Sequence, residues 1–119
     1  MADLTTVFAA LAAILRPYAS KLVVKADTES SLYLDTRHLM ANRQPLFFGA
    51  VQIKKKYVSF YLMPVYVRPS LLEGISPALR KRMQGKSCFN FTGSDPALLK
   101  ELKALVKAGY TSYQEQGVV

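Results

Sequence analysis

The stretch LFFGAVQIKKKYVSFYLMP, residues 46–64, decides the fold. Its second arm alternates Val58, Phe60 and Leu62 with Tyr57, Ser59 and Tyr61, the period of a strand with one buried face. The first arm, Leu46 to Ile53, is largely apolar, and Lys54-Lys55-Lys56 sits where a turn would join the two. The pattern predicts a β-hairpin. Pro64 has no amide hydrogen to give to a ladder, so it ends or bends the second arm, with Val65 to Arg68 as an edge continuation.

Working outward, Leu22 and Val24 alternate with Lys21, Val23 and Lys25, and Leu32 and Leu34 alternate with Ser31, Tyr33 and Asp35. The turn-forming run Asp27-Thr28-Glu29-Ser30 separates them, which predicts two short paired strands from about Lys21 to Asp35. The polar run His38 to Gln44 reads as a loop. On the other side, Pro69 to Gly74 reads as a turn or short helix, and Ser76-Pro77 opens a helical segment running through Met83 toward Gly85. Lys86 to Thr92 alternates again, with Phe89 and Phe91 opposite Lys86, Cys88 and Asn90, and supplies a last strand.

The two ends are helical. Leu4, Val7, Phe8, Leu11, Ile14 and Leu15 repeat at three and four residues, with Asp3 placed to cap the start and Pro17 to end or kink the helix. Asp95-Pro96 starts a second helix whose stripe is Leu98, Leu99, Leu102, Leu105 and Val106, and Tyr110 and Tyr113 extend the spacing toward Gly117. The order is helix, four strands, short helix, strand, helix. It predicts one α+β domain over residues 1–119: a two-layer sandwich in which both terminal helices pack on one face of an antiparallel sheet of about five strands.

Composition limits the function classes. Half of the 119 residues are hydrophobic, enough for one core. One cysteine, Cys88, excludes an internal disulfide, and with one histidine there is no basis for a structural zinc site of cysteines and histidines. The start of the chain lacks the basic residues and long apolar run of a signal peptide, and no stretch approaches the roughly 20 apolar residues of a membrane helix. A cytoplasmic protein without a membrane partner is the expectation. Sixteen basic residues against eight acidic ones give a charge of +8, which biases partners toward anions, nucleic acid among them.

Three segments carry a family likeness: Tyr61 to Tyr66, Lys81 to Phe91, and the capped last helix ending near Gly109-Tyr110. Together they resemble the YdhG-like family of small bacterial domains. The resemblance implies a frataxin-like arrangement, in agreement with the element order, and an alternative function in iron handling. Iron sites of that kind use clustered exposed carboxylates on the first helix and adjoining edge strand. Here the first helix offers only Asp3, followed by Asp27, Glu29 and Asp35, so no metal-binding residue is carried over and no cofactor is expected.

If the aliphatic and phenylalanine residues face the helices, alternation sends Lys21, Lys25, Tyr33, Tyr57, Ser59, Tyr61, Lys86, Cys88 and Asn90 to the opposite face. Lys25, Tyr33, Lys54, Tyr57, Tyr61 and Lys86 are therefore the candidate ligand-binding residues, with phenols to stack on a flat group and ammonium groups to meet an anion. The plainer account is that tyrosine suits a half-wet strand face. A second copy covering that face, a homodimer, is another occupant. Gly85-Lys86-Ser87 is no phosphate loop, because Arg80 stands where its first glycine is required. Cys88 would be a nucleophile only if Lys86 lowered its pKa, and the acidic residues are scattered, so a binding domain rather than an enzyme is expected.

Overall fold

In a computed structural model that describes residues 3–119, the Thr5 amide donates to the Asp3 carboxylate at 2.9 Å and begins α1, Leu4–Leu15. The expected stripe is the buried one: Val7, Phe8, Leu11, Ile14 and Leu15 are enclosed together with Ala12. Pro17 does not release the chain directly into a strand. It opens a 3₁₀ segment, Arg16–Lys21, that delays β1 until Val23–Asp27. Lys21, expected on the far side of the sheet, therefore belongs to the helical layer, with its ammonium 5.5 Å from the centre of the Tyr110 ring.

Five strands follow in meander order, each antiparallel to its neighbour: β1, then β2 (Ser31–Leu39), β3 (Pro45–Ile53), β4 (Val58–Leu62) and β5 (Cys88–Phe91). The central hairpin is as expected. Ile53 pairs with Val58, and the Lys54 amide donates to the Tyr57 carbonyl at 2.8 Å to close the lysine turn. His38 and Leu39, read as loop, instead extend β2. There the Thr36 hydroxyl donates to the Leu46 carbonyl at 2.8 Å and accepts the His38 amide, a side-chain tie that keeps an exposed, polar ribbon paired.

Pro64 ends β4 by starting a helix rather than by bending an edge segment. It lies in the first turn of α2, Met63–Val67, where a missing amide hydrogen costs nothing and its fixed φ already suits a helix. A 3₁₀ turn, Pro69–Leu72, leads to α3, Pro77–Arg80, which is shorter than expected because Met83 leaves it to bridge Phe89. The Ser76 hydroxyl accepts the Leu79 amide to cap α3 and donates to Glu101 at 2.7 Å. Glu101 belongs to α4, Pro96–Glu115, whose start Asp95 caps through the Ala97 amide.

The covered face of the sheet is a set of cross-strand rows. Leu32, Val51, Phe60 and Phe89 form one, and all four are fully buried; Ile53, Val58 and Phe91 form the next. In a third row Gly49 lies between Leu34 and Leu62, and a side chain there would come within 3.0 Å of the Tyr61 carbonyl, beside Leu15 of α1. That absence lets α1 settle on β3 and β4 and against α4. A matching close approach joins α2 to α4, since a Cβ on Gly109 would stand 2.9 Å from that of Pro64.

Two positions assigned to the core fall outside the strand pattern. Leu22 is buried just ahead of β1. Val24 pairs with Leu34, as a core residue would, yet is 44% exposed. The cause is placement: β1 is an edge strand, and α1 crosses β3 and β4 rather than β1. Among the described residues, no helix is long and apolar enough to cross a membrane.

Candidate ligand-binding surface

Reversing the parity of the covered rows gives the opposite face. Tyr33, Ala50, Tyr61 and Cys88 form its central row, flanked by Ser31, Gln52, Ser59 and Asn90 on one side and by Asp35 and Phe47 on the other. Tyr33 and Phe47 stack with ring centres 4.7 Å apart and planes inclined by 29°. Tyr33, Phe47 and Tyr61 are each only half-buried, so three aromatic side chains on three adjacent strands reach the surface.

Phe47 was not among the expected site residues. A register shift hides it: Leu34 pairs with Gly49 but Asp35 pairs with Phe47, so Phe48 is an extra residue. Phe48 turns into the core, where it meets Tyr18, Tyr110 and Tyr113. The Tyr113 hydroxyl donates to the Phe47 carbonyl at 2.8 Å, and burial pushes that phenol well above its ordinary pKa. The doublet Phe47-Phe48 thus supplies one ring to each side of the sheet, and unbroken alternation from Val51 and Gly49 would have assigned the two the wrong way round, Phe47 inward and Phe48 outward.

The structure brings four of the six candidates to this face. Tyr33 and Tyr61 lie in its central row. Lys25 occupies the bulge of β1 between Val24 and Ala26, near enough for its charge to act on Asp35. Lys54 folds back from the hairpin turn, its ammonium donating to Gln52 Oε1 at 3.0 Å, and its charge reaches Cys88. Tyr57 precedes β4 and is 37% exposed in the turn beside the three lysines, at the rim rather than on the platform.

Lys86 leaves the face. The Gln84 amide donates to the Cys88 carbonyl at 2.8 Å, closing a turn in which Gly85 has φ +82°, so strand parity does not extend back from Cys88 to Lys86. Lys86 instead lines a separate hollow with Tyr66 and Arg80.

Polar groups on the face are bound chiefly to one another. The Ser59 hydroxyl donates to Asn90 Oδ1 at 2.8 Å, and the Cys88 thiol donates to the same oxygen at 3.5 Å. Burial raises the Cys88 pKa, against smaller opposing effects from Ser59, Lys54 and Tyr61, so the thiol stays protonated at neutral pH rather than becoming the thiolate a nucleophile needs. His38 lies on β2, with β3 and β4 between it and the strand of Cys88. Burial also raises the Asp35 carboxyl, partly offset by Lys25, and raises the Tyr33 phenol, reinforced by the Asp35 charge.

Among the described residues no three of histidine, cysteine, aspartate and glutamate converge as metal ligands would. Asp3 caps α1, Asp27 pairs with Arg16 at 3.0 Å, and Asp35, on the same side of β2 as Tyr33, is buried. Compared with protein-family models, with curated proteins and with solved structures, the chain matches none.

Proposed function

We propose that the chain is a non-catalytic binding domain that holds a short single-stranded nucleic acid on the open face of its sheet. The observation carrying this reading is the Tyr33 and Phe47 stack beside Tyr61, with Lys25 at one margin and Lys54 at another. Every nucleobase has a flat face that an exposed ring can stack on, and the linking phosphates favour the ammonium groups. The overall charge of +8 favours the same ligand from a distance. Iron handling, the alternative suggested by the YdhG-like resemblance, lacks a comparable observation, because the carboxylates nearest the first helix serve as a cap and an ion-pair partner.

Titration of the labelled protein with a short oligonucleotide, followed by amide shifts at several salt concentrations, tests the proposal. Saturable shifts should centre on Tyr33, Phe47 and Tyr61. Tyr33→Ala or Tyr61→Ala should each weaken binding by about 1–3 kcal/mol, the contribution of one stacked base. If Lys25 and Lys54 each neutralise one phosphate, the log–log salt slope should be about −1.4. Shifts that ignore salt, or that avoid this face, count against the reading. A concentration-dependent dimer abolished by Tyr61→Ala would reassign the face to a second copy of the chain.

A further inference from the structure

The hollow that receives Lys86 shares no residue with the aromatic face. Its floor and walls come from α2, the following 3₁₀ turn, α3 and the turn before β5, and it encloses about 370 Å³, within the range of small-molecule sites. Pro64 sets its shape, because starting α2 at that point buries Val65 and leaves Tyr66 54% exposed at the rim. Leu72 and Met83 complete an apolar lining.

Two cations stand at this apolar site. Arg80 Nη2 donates to the Leu72 carbonyl at 2.7 Å, which fixes the guanidinium beside the hollow while its other N–H groups keep no partner among the described residues. Lys86 is carried there by the turn at Gly85. No acidic residue lines the hollow, and the ion pairs among the described residues, Arg16 with Asp27 and Arg68 with Glu115, involve neither cation. An oriented guanidinium matches the planar fork of a carboxylate, and an ammonium adds charge without restricting geometry.

We infer that this hollow binds a small organic carboxylate, its apolar body on Val65, Leu72 and Met83 beside Tyr66 and its carboxylate held by Arg80 and Lys86. The inference is independent of the oligonucleotide reading, since the two sites have no residue in common and each can fail alone.

Octanoate is a suitable probe, with octanamide and acetate as controls that remove the charge and the apolar body in turn. Octanoate should shift the amides of Tyr66, Met83, Gly85 and Lys86 saturably, octanamide should bind at least about tenfold more weakly, and acetate should leave them unmoved. Arg80→Gln should weaken octanoate by about tenfold or more. Lys86→Ala, a change at an exposed side chain with no structural tie, should weaken it by about threefold and decides the matter if Arg80→Gln disturbs α3. Equal binding of octanoate and octanamide, undiminished binding by Lys86→Ala, shifts confined to the Tyr33 and Tyr61 face, or no saturable shift at millimolar octanoate would each overturn the assignment.

Discussion

Phe60 and Tyr61 are consecutive, yet one belongs to a fully buried row with Leu32, Val51 and Phe89 and the other to a row in which Tyr33 and Cys88 are likewise partly exposed and only Ala50 is buried. The strands, their hydrogen bonds and their twist are common to both faces. What differs, among the described residues, is a layer of helices that only one side carries, so similar aromatic content is enclosed in one place and partly exposed in the other. On the covered face a ring is enclosed by its neighbours; on the open face Tyr33, Phe47 and Tyr61 each keep part of their surface in water.

The largest expected break in this comparison comes from truncating each row at the same strand. Phe60→Ala should cost about 3–5 kcal/mol in a urea melt, from lost burial plus the cavity left behind. Tyr61→Ala should cost about 1 kcal/mol or less. Comparable losses would mean that the open face is structural and would remove the physical ground for a ligand there.

A smaller effect separates the two sets of phenols. Tyr113 ties α4 to β3 through the Phe47 carbonyl, whereas the Tyr33 hydroxyl has no hydrogen-bond partner among the described residues. Tyr113→Phe should therefore cost about 1–2 kcal/mol and Tyr33→Phe within about 0.5 kcal/mol, both read from thermal or urea unfolding.

The smallest effect concerns Asp35, the carboxylate paired across the ladder with Phe47. Its folded pKa lies above the ordinary 3.8, burial being the main cause. A raised acid binds its proton more tightly in the folded chain, so this group's favourable contribution is complete below the ordinary pKa and is lost as pH rises through the folded one. Asp35→Asn should thus melt at a slightly higher temperature than the parent at pH 7, with the gap shrinking toward pH 3. A gap that widens on acidification would show that Lys25 outweighs burial at this position.

The architecture was legible because its signals are local. Alternation at Val58, Phe60 and Leu62, the stripes of α1 and α4, and caps at Asp3 and Asp95 all have their expected places. The misread segments are those where a neighbour overrides local pattern. Val24 has core parity but is exposed at an edge strand, Lys21 is retained by a 3₁₀ turn, and Pro64 starts a helix that packs on β3 and closely against Gly109 of α4. Of the candidate site, the two tyrosine positions followed from period two. Phe47 was hidden by an extra residue, and Lys86 was displaced by a glycine in the left-handed region, neither of which changes the composition of its strand.

Because every strand pairs with the one synthesised just before it, the sheet asks for nothing downstream of β5. The underside is different: Tyr113 reaches back 66 residues to Phe47, from the last 20-residue helix to the third strand. During translation the ribbon can therefore assemble as it leaves the ribosome, while its apolar side has α1 and the short α2 for cover until α4 emerges. The interval in which the apolar side of the sheet is least covered lasts until α4 packs, and the aromatic face opposite plays no part in ending it.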